Sequence, residues 1–564
     1  MTVVRRRVVY LLLTAIVLLS IAVRYPLVEH ERYQTDSYAM HYLAKSIVDN
    51  DQALWTFHPL SYVGLYPLSY PSGTPFLLAE IGDMTGVSIE LSVLWMDFAL
   101  ATIFCLGAFV LARQFLKRSE HALMATFFTV LGARFIDTTY WDGSARGPMV
   151  VLIALLIFTA LRGATVRDRR LLVVGFLFGV GCFATHHMAI LLVLVGLAYL
   201  LASFQMSFVL RRFALRRRAA IVSVNVAAAI AIAFVSFSFF DYLGELVLGY
   251  SRNSLFEFEP DVLSALVNMG VSYTNQIGPI LFLAAIGLYS ALRYSRPSIE
   301  TLVPVAVLIV FIPIYGNSLY VSMILSPFVA ILGTATLFRW MAKPKRRKAM
   351  LAIAIALVAT SVFIPLWSSD RWNSHEYIGD YTVEVDNGIF NDANYMRISY
   401  PYDYAISNSY VIAAQLSVST DSRFLSSGFP MVVNGDITKA DIEENVAWSS
   451  RKFPVNLYNW FEYDNEPYVD GYVHGFVAYG VGYILATSGS STGLFYQDHP
   501  RLVVVVDNDR SQYIGVYFEQ DSRLTPELKD ASWSSSGYPL SHDLDSYSIY
   551  TSEKTTVYIM SFGF

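Results

Sequence analysis

One feature constrains this chain more than any other: apolar runs close to the length of a bilayer recur through the first two thirds of its 564 residues. A helix needs roughly 20 apolar residues to cross the hydrocarbon. Such runs lie at about 8–27, 90–112, 121–136, 148–162, 171–186, 188–210, 219–240, 277–292, 301–316, 318–338 and 349–367. The pattern predicts a polytopic α-helical membrane domain of about eleven transmembrane helices. Only 15% of residues are charged, well below the quarter or so that a water-soluble chain carries. A soluble enzyme, a disordered tail protein and a disulfide scaffold are excluded. The two cysteines, Cys105 and Cys182, both fall in apolar runs, which leaves cysteine chemistry no part. No small-residue cleavage site follows the run after Arg5–Arg7, so it reads as a retained first helix.

The charges divide the chain. Residues 1–367 hold 29 Lys and Arg against 19 Asp and Glu, whereas residues 368–564 hold 11 against 26. A basic membrane part and an acidic tail point to two compartments and away from nucleic acid. Basic clusters at Arg5–Arg7, Arg113/Lys117/Arg118, Arg162–Arg170, Arg211–Arg218, Arg293/Arg296 and Lys343–Lys348 occupy alternate loops. Positive charge is retained on the cytoplasmic side, so the N-terminus is expected inside and, after an odd number of helices, residues 368–564 outside. The expected organisation is a multi-span domain over 1–367, in the cell membrane, with outer loops 28–89, 137–147 and 241–276. A β-rich extracytoplasmic domain follows over 368–564. Its alternating Tyr, Val, Ile and Phe are broken by turns, as in Val385-Asp-Asn-Gly-Ile389 and Val503-Val-Val-Val506-Asp-Asn-Asp509.

Candidate chemistry gathers in the outer loops. Asp36, with Glu29, His30 and Glu31 close by, opens the amphipathic stretch Asp36-Ser-Tyr-Ala-Met-His-Tyr-Leu-Ala-Lys-Ser-Ile47, which is expected to lie flat on the outer interface. A carboxylate there can ligate a divalent cation, act as a general base, or simply cap its helix. Asp137, Asp142 and Arg146 share the turn Asp137-Thr-Thr-Tyr-Trp-Asp-Gly-Ser-Ala-Arg-Gly147. Arg suits bidentate phosphate contacts and the carboxylates suit a metal, while an Asp–Arg pair that neutralises itself is the plainer reading. Asp97 lies inside an apolar run, where an acid is costly and points to function or to a nearby donor. Glu257 and Glu259 stand in the third loop, as acceptor contacts or as solvated acids. His186 and His187 read as polar punctuation. Trp460-Phe-Glu-Tyr-Asp464 combines an aromatic platform with acids, suited to sugar stacking or to an ordinary β surface.

Together these features resemble the C-superfamily of membrane glycosyltransferases (GT-C), and particularly the archaeal relatives of the oligosaccharyltransferase catalytic subunit. The likeness rests on an N-in first helix and the loop with Asp36-Ser-Tyr-Ala-Met-His-Tyr-Leu-Ala44. It rests equally on the Tyr-Pro-rich stretch Tyr66-Pro-Leu-Ser-Tyr-Pro-Ser-Gly-Thr-Pro75 and the second acidic loop from Asp137 to Arg146, then on the many helices and terminal soluble domain. It implies a metal, Mn²⁺ or Mg²⁺, on Asp36 and on Asp137 or Asp142, and a sugar donor on polyprenyl phosphate or diphosphate. The family's Trp-Trp-Asp sequon motif is absent. The late stretch Asn317-Ser-Leu-Tyr-Val-Ser-Met-Ile-Leu-Ser-Pro327 carries no donor-binding Arg. Glycan, surface-polymer and hydroxyl acceptors therefore stand open beside protein.

The expected function is a glycosyltransferase at the outer membrane face. Asp36 and Asp142 are expected at the reaction, Asp36, Asp137 and Asp142 on the metal, and Arg146 on the donor phosphate. Glu257, Glu259 and Trp460 are expected on a glycan or protein acceptor. The alternatives are a non-enzymatic membrane protein whose outer domain binds glycan or a partner protein and, more remotely, a transporter.

Overall fold

The computed structural model describes residues 3–26, 31, 35–53, 55–57, 65–66, 71–209, 219–231, 262–293, 298–311 and 318–373. In the tail it describes 393–398, 404–407, 416, 418–419, 423–424, 431–433, 501–507, 544–551 and 555–562. The chain forms two compact units. The first comprises Met1–Glu29, Val93–Val247 and Ser251–Glu376; the second comprises His30–Ser92, Leu248–Tyr250 and Tyr377–Phe564. The segment His30–Ser92 thus clusters with the tail.

In chain order the described helices are α1 (Val3–Ala22), α2 (Thr35–Asn50), α3 (Gly73–Thr85), α4 (Ile89–Phe115), α5 (Ser119–Val130), α6 (Ala133–Asp137), α7 (Arg146–Val166), α8 (Arg169–Thr185) and α9 (Leu192–Phe204). They continue with α10 (Ala219–Ala231), α11 (Val262–Ile277), α12 (Ile280–Arg293), α13 (Ile299–Val310), α14 (Ser318–Met341) and α15 (Arg347–Asn373). In α4 the buried positions Val93, Asp97, Leu100, Phe104, Ala108 and Leu111 recur every three or four residues, while Trp95, Ile103 and Leu106 are exposed on the other side. An apolar exposed face opposite a buried stripe is what a helix bordering lipid requires.

Among the described residues, five helical stretches are long and apolar enough to cross a bilayer: Ile89–Phe115, Arg146–Val166, Met188–Phe208, Tyr320–Met341 and Pro344–Ile364. The pair Gly270–Ile277 and Ile280–Ala291 is long and apolar enough only when taken together and is bent by 109°, as a broken span or a re-entrant loop is. Gly278 takes φ 102°, open only to glycine at low cost, and Pro279 then cannot continue the preceding helix. The eleven spans expected from sequence are not reached by the described residues. α5 and α13 have 12 residues each and α8 has 17, short of a full crossing.

The second unit contains α2 packed on α3 and two sheets. The smaller runs in the order β2 (Leu65–Tyr66), β1 (Trp55–Phe57) and β5 (Met431–Val433), all antiparallel, with Trp55 opposite Val433. The larger has five strands in the order β4 (Arg423–Phe424), β3 (Tyr404–Ser407), β6 (Arg501–Asp507), β8 (Thr555–Phe562) and β7 (Leu544–Thr551). β3 is parallel to both its neighbours, whereas β6, β8 and β7 are antiparallel. The Val503–Val506 run falls in the central strand β6. α2 is not an interfacial helix with one covered face: Ser37, Tyr38, Met40, His41, Leu43, Ala44 and Ile47 are all buried. Its polar Ser37, His41 and Ser46 are buried while Lys45 and Asp49 pair at the surface, a division that the amphipathic pattern alone does not reveal.

Candidate functional site

The segment from Asp137 to Gly147 gathers polar groups in the first unit. α5 ends at Val130, and the short α6 turns the chain back before α7 begins at Arg146. Gly147 is required at this start: a Cβ there would lie 2.9 Å from Thr139 Cγ2 and 3.2 Å from the Thr138 carbonyl oxygen. Pro148 follows in the first turn of α7, where its missing N–H costs nothing. In the turn between α6 and α7 Trp141, buried, adopts φ 51°, a left-handed conformation that is strained for a bulky residue. The next residue, Asp142, donates its backbone N–H to Asp97 Oδ2 on α4 at 2.9 Å.

Asp97 and Asp142 are both fully buried. Two neighbouring carboxylates out of water demand cationic company, and three guanidinium groups supply it. Arg134 on α6 is paired with Asp137 one turn on, and Arg146, Tyr320 and Asp142 also act on it electrostatically. The Arg146 guanidinium lies over the Tyr320 ring of α14, 5.3 Å from its centroid. Arg24, just past α1, is wholly buried. Its Nε donates to Thr139 Oγ1 at 2.7 Å and its Nη1 to the Ser20 carbonyl at 2.7 Å. Its Nη2 reaches the Val130 carbonyl at 3.4 Å, and the group stacks over Phe135. Arg24 thus faces Asp97, and Arg134 faces Asp137 and Asp142, electrostatically.

His186 completes the cluster. Its ring is tilted against Tyr320 at 5.9 Å, and its Nδ1 accepts the Met188 backbone N–H at 3.0 Å. The side chain therefore caps the turn that leads into α9.

The sequence-predicted residues are distributed unevenly over this geometry. Asp142 and Arg146 belong to the cluster, and Asp137 is engaged by Arg134. Asp36 is the second residue of α2, in the second unit; its side chain lies outside the described residues. Glu257, Glu259 and Trp460 also lie outside them. Arg24, Arg134 and Tyr320 were not legible as site residues. Arg24 hides at the end of an apolar run, and Arg134 and Tyr320 sit at no tell-tale spacing. Asp97 was legible as an acid in an apolar run.

The carboxylates are hard oxygen donors, suited to Mg²⁺ or Mn²⁺. Among the described residues no group of three or more His, Cys, Asp and Glu side chains is arranged to hold a metal ion. Asp97 and Asp142 meet through the Asp142 backbone N–H and not through two carboxylates facing one point.

The solved structures most similar in fold include archaeal oligosaccharyltransferase AglB from Archaeoglobus fulgidus, in complex with an inhibitory peptide and a dolichol-phosphate. It is 12% identical with a TM-score of 0.54, over 92% of this chain and 72% of that one. The same enzyme in complex with Zn and sulfate gives 13% and 0.55, over 91% and 69%. ArnT from Cupriavidus metallidurans in the apo state gives 12% and 0.51, over 99% and 98%. At these identities the likeness establishes the fold. No curated protein matches the chain by sequence. A family profile described as "Family of unknown function (DUF6541)" matches residues 3–320, more than half of the chain. The chain belongs to that family, and its fold is similar to those of the archaeal oligosaccharyltransferase AglB and of ArnT.

Proposed function

We propose that the chain is a membrane glycosyltransferase that moves a sugar from a polyprenyl-phosphate-linked donor to an acceptor at the outer face of the cell membrane. The observation that carries the reading is the buried cluster in which Asp97 accepts the Asp142 N–H, Arg134 feels Asp137, Asp142 and Arg146, and Arg146 lies over Tyr320. Buried ionisable groups at the end of membrane helices are expensive and mark substrate sites. The fold relatives point the same way, since one of them is held with a dolichol-phosphate.

In this reading Arg146, held flat by Tyr320, presents its fork to the donor phosphate. The acceptor hydroxyl attacks the anomeric carbon, the bond from that carbon to the phosphate oxygen breaks, and the polyprenyl phosphate leaves with the electron pair. Asp36 or Asp142 takes the acceptor's proton. Asp36 and Asp142, with Asp137 committed to Arg134, are the residues to hold Mn²⁺ or Mg²⁺. Such an ion supplies charge stabilisation to the leaving phosphate. Glu257, Glu259 and Trp460 are the proposed acceptor contacts. About eleven spans, an inside N-terminus and an outer tail complete the reading.

The test is turnover of a polyprenyl-phosphate-linked hexose by the full chain in proteoliposomes, with and without added Mn²⁺ or Mg²⁺. Asp142→Ala and Asp36→Ala are each expected to lose at least 10²-fold in kcat, the scale on which a positioned acid–base group contributes. Arg146→Lys is expected to raise KM by about tenfold, the equivalent of roughly 1.4 kcal/mol of phosphate binding. Wild-type turnover in both Asp variants would remove the mechanism.

A further inference from the structure

Glu31 is 1% exposed and His41 9%, both deep in the second unit. His41 Nδ1 lies 2.9 Å from Glu31 Oε1. The Glu31 backbone N–H donates to Glu90 Oε1 at the start of α4, at 2.9 Å, and the Tyr38 hydroxyl donates to the Glu31 carbonyl at 3.4 Å. Glu31 is therefore tied through its side chain, its N–H and its carbonyl, to three different residues. Tyr38 keeps its proton for this contact: burial first, then the charges of Glu31 and Glu90, push its pKa well above the ordinary phenol value. Glu31 stands five residues before Asp36 and His41 five after it, so the pair brackets the first turn of α2.

We propose that Glu31 and His41 form a clamp that fixes the first turn of α2, and with it Asp36, for the transfer reaction. A helix's first turn is otherwise its least constrained part, since its N–H groups lack partners inside the helix. Apolar packing could hold α2 on α3 without burying an acid and an imidazole, a costly choice. The polar tether fixes geometry where packing alone fixes only proximity. Glu31 and His41 are positioning residues, acting through Asp36. The inference rests on the role given to Asp36 above.

The experiment uses the full chain, with two readouts: backbone hydrogen exchange over residues 35–39, and kcat and KM for a polyprenyl-phosphate-linked hexose. His41→Ala is expected to speed exchange there at least tenfold. It is also expected to lower kcat by about 10²-fold with KM within about twofold, since misplacement by about 1 Å costs that much. His41→Asn, whose amide nitrogen can replace Nδ1, should restore most of both. Should His41→Ala fail to fold, Glu31→Gln keeps the volume but drops the charge; faster exchange and a lower kcat are expected in it too. Unchanged exchange in the folded variants overturns the clamp, and faster exchange with unchanged kcat overturns its part in transfer. Full activity of Asp36→Ala instead overturns the functional reading while the exchange result still decides the clamp.

Discussion

Arg24 and Asp97 show what a single residue contributes to this loop. Arg24 joins the end of α1 to Thr139 and to the Val130 carbonyl at the end of α5, contacts that only a planar fork can make together. Arg24→Lys keeps the charge but can serve one of these directions. We expect it to destabilise the chain by roughly 2–4 kcal/mol, the range for breaking a buried charged network, as a lower melting temperature in detergent. Asp97 tests a different quantity. Asp97→Asn keeps an oxygen for the Asp142 N–H but removes the charge facing Arg24, and is expected to melt below wild type yet above Asp97→Ala. Asp97→Ala loses that acceptor and should cost about 1.5–3 kcal/mol. Equal melting of the two variants would mean that the 2.9 Å contact contributes nothing. The sequence made Asp97 legible because an acid in an apolar run has no solvent to explain it. It left Arg24 illegible, because a lone Arg near the end of a span reads the same whether it faces headgroups or is fully enclosed.

At the scale of elements, α12 and α14 approach through glycine. A Cβ on Gly287 would meet the Leu332 carbonyl oxygen at 2.8 Å, and one on Gly333 would meet the Ile280 carbonyl oxygen at 2.9 Å. Both obstacles are backbone, which cannot swing aside as a side chain can, and small residues are what allow such close packing between membrane helices. Gly287→Ala and Gly333→Ala are each expected to destabilise by about 1–3 kcal/mol as overpacking. Gly270→Ala, with open space around its Cβ, serves as the control and should melt at or above wild type. Equal melting of all three would show that the helices can separate without cost. Apolar run length located the elements but not their breaks. The turn between α5 and α6 interrupts a run, Phe127-Phe-Thr-Val-Leu131-Gly-Ala133, whose composition stays largely apolar. Hydropathy averages over a break that a single backbone conformation creates.

For the molecule as a whole, the functional reading requires Asp36, the second loop and the tail to face one side. The argument for this is electrostatic and independent of the fold. Loops near Arg167 and Lys345 carry the basic clusters, and Lys and Arg close to span ends are held on the cytoplasmic side. The acidic tail, with 26 Asp and Glu against 11 Lys and Arg, lacks that signal. Arg167, Lys345, Asp51 and Arg397 are all exposed, so each can report its side through one cysteine. Cys105 and Cys182 are both buried and can be replaced by alanine to give a silent background. Asp51→Cys in the first outer loop and Arg397→Cys in the tail are expected to react with a membrane-impermeant maleimide on intact cells. Arg167→Cys and Lys345→Cys should react only after lysis. Labelling of Arg167→Cys and Arg397→Cys from the same side would break the parity on which the outer placement of the tail rests. Labelling of Asp51→Cys only after lysis would put Asp36 on the side opposite to a donor presented at the outer face, and the proposed transfer could not occur there.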